Sequence, residues 1–185
     1  MSRLPAALAV ALALCTTQGA HAGAAVPEPD GYRMEDYRAP VPGTLSGAGV
    51  LDTEEAHALW TGGEAVFVDV LPRPPRPKLP AGTLWRPPER QDIPGSIWLA
   101  NTGFGALAPE TEDYFETSLL HATEGDRTRA LVFYCLRDCW MSWNAARRAM
   151  AQGYETVFWY PDGTDGWEEA GLPLETREPA PPHGQ

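Results

Sequence analysis

The sequence predicts an α/β domain, a mainly parallel sheet of about five short strands with helices on both faces. Short, almost wholly apolar runs recur at 65–70, 96–99, 130–134 and 156–160, the mark of strands buried on both sides. Segments of helical composition alternate with them, as a parallel sheet with crossover helices requires. Gly and Pro punctuate the boundaries.

In chain order, Asp52-Thr53-Glu54-Glu55 starts a helix, because Asp52 can accept from the first-turn amides and Glu55 can reach back. Ala56, Leu59 and Trp60 supply its apolar face, and Gly62-Gly63 stops it. The run 65–70 is the first buried strand. From Leu71 to Pro94 prolines recur too often for helix or central strand, which predicts a long surface loop. Ser96 to Leu99 is a second strand. Pro109 opens a helix through roughly His121, with Tyr114, Phe115, Leu119 and Leu120 as its apolar contributions. Ala130 to Tyr134 is the most apolar strand, and Cys135 stands at its end. Ser142 to Gln152 is helical, with Ser142 as cap and Gly153 as stop. Thr156 to Tyr160 completes a βαβ unit, whose functional loops are expected at the carboxyl ends of the strands.

Residues 1–22 carry one positive charge (Arg3), an apolar run from Leu4 to Leu14 and a small-residue close at Ala20-His21-Ala22. This is the layout of a secretory signal peptide, with cleavage expected after Ala22, and it predicts a periplasmic protein. The run is too short to span a bilayer, and no other membrane span follows. Lipidation at Cys15 is disfavoured by the bulky Leu14 before it, so Cys15 is expected to leave with the signal. Residues 23–49 read as an extended N-terminal arm with Tyr32 and Tyr37 able to pin it, 50–176 as the folded domain and 177–185 as a flexible C-terminal tail.

Without the signal 163 residues remain (185 minus 22), enough for one domain with a proper core. Its formal charge is −12, from 13 basic and 25 acidic residues. A nucleic-acid partner needs a basic footprint, and the acidic balance argues against one. The acidity itself reads as a solubility feature.

Two cysteines stay in the mature chain, four positions apart. A loop that short makes a poor staple for a large domain, which favours redox or nucleophilic use. Cys135-Leu136-Arg137-Asp138-Cys139 joins a buried strand to a helix amino terminus, where backbone N–H groups and the helix dipole favour an anion. Cys135 is therefore expected to be a thiolate nucleophile of lowered pKa, assisted by Arg137 if that side chain turns inward. If the loop makes a helical turn, Cys139 lies within bridging range, so a reversible disulfide is expected. The plain alternative is that both are small buried apolar side chains.

Tyr134-Cys135, Ala145-Ala146, Gly153-Tyr154, the segment from Asp162 to Trp167 and Ala170-Gly171-Leu172-Pro173 resemble, in order, the active-site half of a rhodanese domain. Phe67-Val68-Asp69-Val70 resembles that family's early strand, and Ile93-Pro94-Gly95-Ser96 its Ile-Pro-Gly-Ala step. The likeness covers about residues 50–175. Asp138-Cys139-Trp140-Met141-Ser142-Trp143-Asn144-Ala145-Ala146 also resembles the exported, rhodanese-like cysteine-tryptophan (CXXCW) motif proteins of pyrroloquinoline quinone (PQQ)-dependent alcohol catabolism. The resemblance implies a rhodanese fold with Cys135 at the sulfur-carrying position. It also implies sulfurtransferase or thiol-disulfide oxidoreductase chemistry, and partners among the PQQ-dependent alcohol oxidation components or a periplasmic redox or sulfur protein. The loop departs from the sulfurtransferase pattern, with Trp140 and Met141 where a basic residue and a serine are usual. It matches the longer phosphatase-like loop in length but carries Met141 where those enzymes need an arginine. Cys139 favours redox cycling, because it can resolve a persulfide on Cys135 to a disulfide.

Other readings stay open. The two thiols with Met141 are soft ligands suited to Cu(I), with a third donor to come from His57, His121 or elsewhere. Trp140 and Trp143 can form a platform for a partner or a quinoid cofactor such as PQQ, or simply pack. Asp69 and Asp138 can orient the loop, act as acid or base, or cap turns. The Pro-Arg stretch 72–77 is either a docking segment or a stiff solvated loop. A non-catalytic accessory protein on the same fold is the rival to an enzyme.

Overall fold

In a computed structural model, residues 26–182 are described. The expected leader, with Cys15 and its cleavage point, lies outside them. The elements are β1 (Gly49–Val50), α1 (Thr53–Gly62), β2 (Ala65–Asp69), β3 (Arg90–Asp92), β4 (Ile97–Trp98), α2 (Pro109–Ala122), β5 (Ala130–Tyr134), α3 (Trp140–Ala151), β6 (Val157–Trp159), α4 (Gly163–Glu169) and β7 (Glu175–Arg177). Five strands form one sheet in the order β1-β6-β5-β2-β4, every neighbouring pair parallel. β3 and β7 make a separate antiparallel pair. This is the predicted α/β architecture, and none of the described helices is long and apolar enough to cross a membrane.

The period of two along β5 sorts its side chains. Leu131, Phe133 and Cys135 enter the core on the α2 and α3 side, while Val132 and Tyr134 enter the other core with Ala56, Tyr160 and Trp167. Central position in the sheet explains why the strand reads as apolar throughout. α1 starts as predicted: Asp52 accepts from Glu55 N–H at 2.9 Å and Glu55 accepts from Asp52 N–H at 3.0 Å. Gly63, at φ +64°, ends it.

Several elements differ from the sequence expectation. α3 begins at Trp140 rather than near Ser142, with Cys139 as its cap residue. Ser142 instead donates to the Cys139 carbonyl and accepts from the Trp159 indole. The arm contributes β1 to the sheet edge. The long loop ends in β3, and α4 and β7 had no sequence forecast. The segment expected as a free tail begins inside β7, and Ala180 is bonded through its N–H to Trp98 and through its carbonyl to the Tyr114 hydroxyl.

Candidate active site

Cys135 directly follows β5, so its side chain falls on the α3 side of the sheet. It is joined to Cys139 by a disulfide across a Cα–Cα distance of 6.4 Å. No helical turn brings them together. Asp138 adopts the left-handed conformation at φ +53°, and Cys139 is extended. An aspartate tolerates that conformation better than most residues, which accounts for its place between the thiols. Cys135 is fully buried and Cys139 is 2% exposed.

The Cys135 carbonyl is held by the Thr164 N–H at 3.0 Å, the Thr164 hydroxyl at 3.4 Å and an Arg90 N–H at 3.5 Å. This requires α4 to start flush against the loop. Gly163 permits it, being at φ +53° and so close that a Cβ would strike the Cys135 carbonyl.

The amide cradle expected around Cys135 is directed elsewhere in this oxidised state. Arg137 N–H donates to Asp165 at 3.0 Å and Trp140 N–H to the Tyr37 carbonyl at 2.9 Å. The groups near the Cys135 sulfur are the carbonyl oxygens of Cys139, at 3.5 Å, and Leu136, at 3.8 Å. Arg137 turns outward rather than inward, pairing with Glu169 at 2.7 Å and Asp162 at 3.1 Å. Those bonds, Glu169 first, raise its pKa further. Asp138 is exposed at the loop tip.

Trp140 and Trp143 are 2% and 0% exposed and meet edge to face, their centroids 5.6 Å apart. Their indole N–H groups donate at 3.2 Å to the carbonyls of Pro40 and Thr44. Asn144 accepts from Arg33 N–H and donates to the Arg33 and Gly103 carbonyls. The arm thus lies along α3 and covers the cysteines, with an antiparallel bridge between Arg38 and Cys139. In this arrangement the two indoles hold the arm, and a ligand platform needs the arm displaced.

Behind the loop lies a charged cluster of which the sequence reading singled out only Asp69. Asp69 and Asp92 are fully buried. Arg90 contacts Asp69 at 2.7 Å and Asp92 at 4.0 Å, and Tyr134 donates to Asp92 at 2.5 Å. Burial, then the neighbouring Asp92, pushes the Asp69 carboxyl up to about 7 against the pull of Arg90. Burial also raises Asp92 and Tyr134. Asp69 in addition accepts from Leu71 N–H at 2.8 Å, the turn-capping role expected of it. The two aspartates lie 23 positions apart, with Arg90 at the end of a proline-rich stretch, and only a charged Asp92 just before an apolar Ile-Pro-Gly step hinted at burial.

Among the described residues no three His, Cys, Asp or Glu side chains form a metal-binding group. His57 stacks on Trp60 and sits against Trp167, in the core on the opposite side of the sheet from Cys135. A cavity of about 280 Å³ adjoins the disulfide loop at Leu136, walled by Pro72, Pro74, Pro88, Trp98 and Arg90.

A rhodanese-like domain family model matches residues 52–170. The chain belongs to the rhodanese-like family. No curated protein matches it. Among solved structures it is similar to a thiosulfate sulfurtransferase from Pseudomonas aeruginosa, at 20% identity and TM-score 0.47, over 71% of this chain and 21% of that one. A polysulfide-sulfur transferase from Wolinella succinogenes shows 18% identity and TM-score 0.44, over 76% and 87%. A protein of unknown function from Rhodopseudomonas palustris, named as a possible tyrosine phosphatase, shows 22% identity and TM-score 0.48, over 70% and 86%.

Proposed function

We propose that this rhodanese-like protein is an exported thiol protein whose Cys135 and Cys139 cycle between disulfide and dithiol in support of PQQ-dependent alcohol oxidation. One observation carries the reading: Cys135, whose sequence setting resembles that of the family's sulfur-carrying cysteine, is paired with a second cysteine on its own loop. Such a pair disposes of bound sulfur. Cys139 thiolate attacks Sγ of a Cys135 persulfide, the new S–S bond forms, and the outer sulfur leaves as hydrosulfide with the bonding electrons. An external dithiol then returns two electrons and two protons and is itself oxidised to a disulfide. The cysteine-tryptophan run supports the PQQ connection, although three residues separate the cysteines here against two in that motif. The leader-like N-terminus supports export.

Because the disulfide is buried under the arm, exchange requires residues 33–44 to lift from α3. Mass spectrometry of protein taken from native cells without reductant tests the reading. A mixture of disulfide and dithiol or persulfide at Cys135 is expected, and a disulfide that stays fully closed in cells and resists dithiothreitol in the folded protein overturns it.

The burial of both sulfurs favours one second reading, an accessory protein in which the bond is structural and α3 serves binding. Replacing both cysteines by serine separates the two. Impaired growth on an alcohol oxidised through PQQ supports thiol cycling, and undiminished growth supports the accessory role.

A further inference from the structure

The loop between β2 and β3 is chemically unlike the rest of the molecule. Seven of the chain's 19 prolines fall between residues 72 and 88. Arg73, Arg76, Lys78 and Arg86 stand in the same stretch, which contains no acidic residue, in a chain of net charge −11. Among the described residues no carboxylate lies within ion-pair distance of Arg76, Lys78 or Arg86. Arg73 alone has one, Glu178, at 3.8 Å on the surface. An acidic protein ordinarily scatters its cations among its anions, whereas here four stand together and three have no carboxylate partner among the described residues.

The loop also exposes apolar surface. Leu84 is 96% exposed and Leu79 39%, two of the three exposed large hydrophobic side chains among the described residues. The loop backbone has few bonds of its own. Thr83 N–H donates to the Pro80 carbonyl, Arg76 donates to the Thr83 carbonyl, and Arg73 N–H donates to Asn101. Proline fixes φ through the segment, so it is extended and stiff without a ladder, and little conformational entropy is lost when a partner grips it. At its roots Pro72, Pro74 and Pro88 wall the cavity that ends at Leu136, beside Cys135.

We propose that the 72–88 loop is a docking surface for a protein partner with an acidic face and an apolar pocket that takes Leu84. Cationic residues steer such a partner, and the stiff prolines and leucines supply contact at low ordering cost. An anionic membrane is the weaker fit, because the acidic body would be brought against the same negative surface. The partner would stand at the mouth of the Cys135 loop. This placement deepens the thiol-exchange reading and rests on it only for the purpose of docking, not for docking itself.

The test is photocrosslinking in native cells with Leu84→p-benzoylphenylalanine, alone and combined with Arg76→Glu, Lys78→Glu and Arg86→Glu. A discrete adduct with an acidic protein, at least tenfold weaker in the charge-reversed chain, is the expected result. No adduct, an adduct indifferent to charge reversal, an adduct to lipid, or one joining two copies of this chain overturns the proposal. Dithiothreitol reduction of the Cys135–Cys139 bond, measured in parallel, is expected to be the same with and without charge reversal. Failure of docking is thereby distinguished from failure of the thiol chemistry.

Discussion

The backbone N–H of Trp140 donates to the carbonyl of Tyr37 at 2.9 Å, so a residue of the N-terminal arm closes the first turn of the helix that follows the two cysteines. That amide is among the groups an anion at Cys135 would use. An anion that used this amide would have to displace the arm from it.

Trp140→Ala removes both an indole anchored to Pro40 and a large buried side chain. The expected cost is about 3–5 kcal/mol, as for other buried Trp truncations. Urea denaturation measures it. Reduction of the disulfide by a phosphine is expected to accelerate at least tenfold in conditions where the variant stays folded, because the arm loses its hold over the sulfurs.

Opening the disulfide leaves the fold standing. The bond closes a loop of only five residues, and chain-entropy arithmetic gives a stabilisation of about 2 kcal/mol. Denaturation curves with and without reductant are expected to differ by about that amount, and Cys135→Ser combined with Cys139→Ser to match the reduced protein.

Arg90→Met strands two buried carboxylates. A loss of about 3–5 kcal/mol is expected. It depends on pH in a definite sense. The folded Asp69 carboxyl is already raised to about 7 from an ordinary 3.8. Its protonated form is therefore favoured by folding, and its contribution is complete below about 4 and fades as pH rises through about 7. Removing the guanidinium raises that carboxyl further, so the variant is expected to weaken with rising pH more steeply than the native protein. Stability measured from pH 5 to 8 checks the sign.

Gly163→Ala forces a side chain into a left-handed residue facing the Cys135 carbonyl. A destabilisation of about 1–3 kcal/mol is expected from the backbone alone. The displaced loop should also change how fast the disulfide reopens, which thiol release under dithiothreitol reports.

The legible parts of the fold were those with a local physical cause. Ala130–Tyr134 is a strand because five apolar residues in a row cannot face water on either side, and Asp52 with Glu55 makes a cap from four consecutive residues. Cys135 was legible as a special position because it ends that strand. The rest needed the third dimension. β3 and β7 pair polar residues, Gln91 with Thr176 among them, from distant parts of the chain. α4 contains Gly163 and Gly166, which argue against a helix unless a carbonyl and the Tyr160 hydroxyl press close enough to exclude side chains. The outward turn of Arg137 depends on Asp162 and Glu169, carried by a segment that showed no helical signal.

The tie between Tyr37 and Trp140 spans more than a hundred positions, so closing it costs more chain entropy than closing any contact within the βαβ unit. The βαβ unit holding Cys135 and Cys139 can assemble from nearby residues before the arm settles. During that interval the two sulfurs face solvent and any oxidant there. A disulfide closed in that interval would be enclosed only afterwards, when the arm packs onto α3.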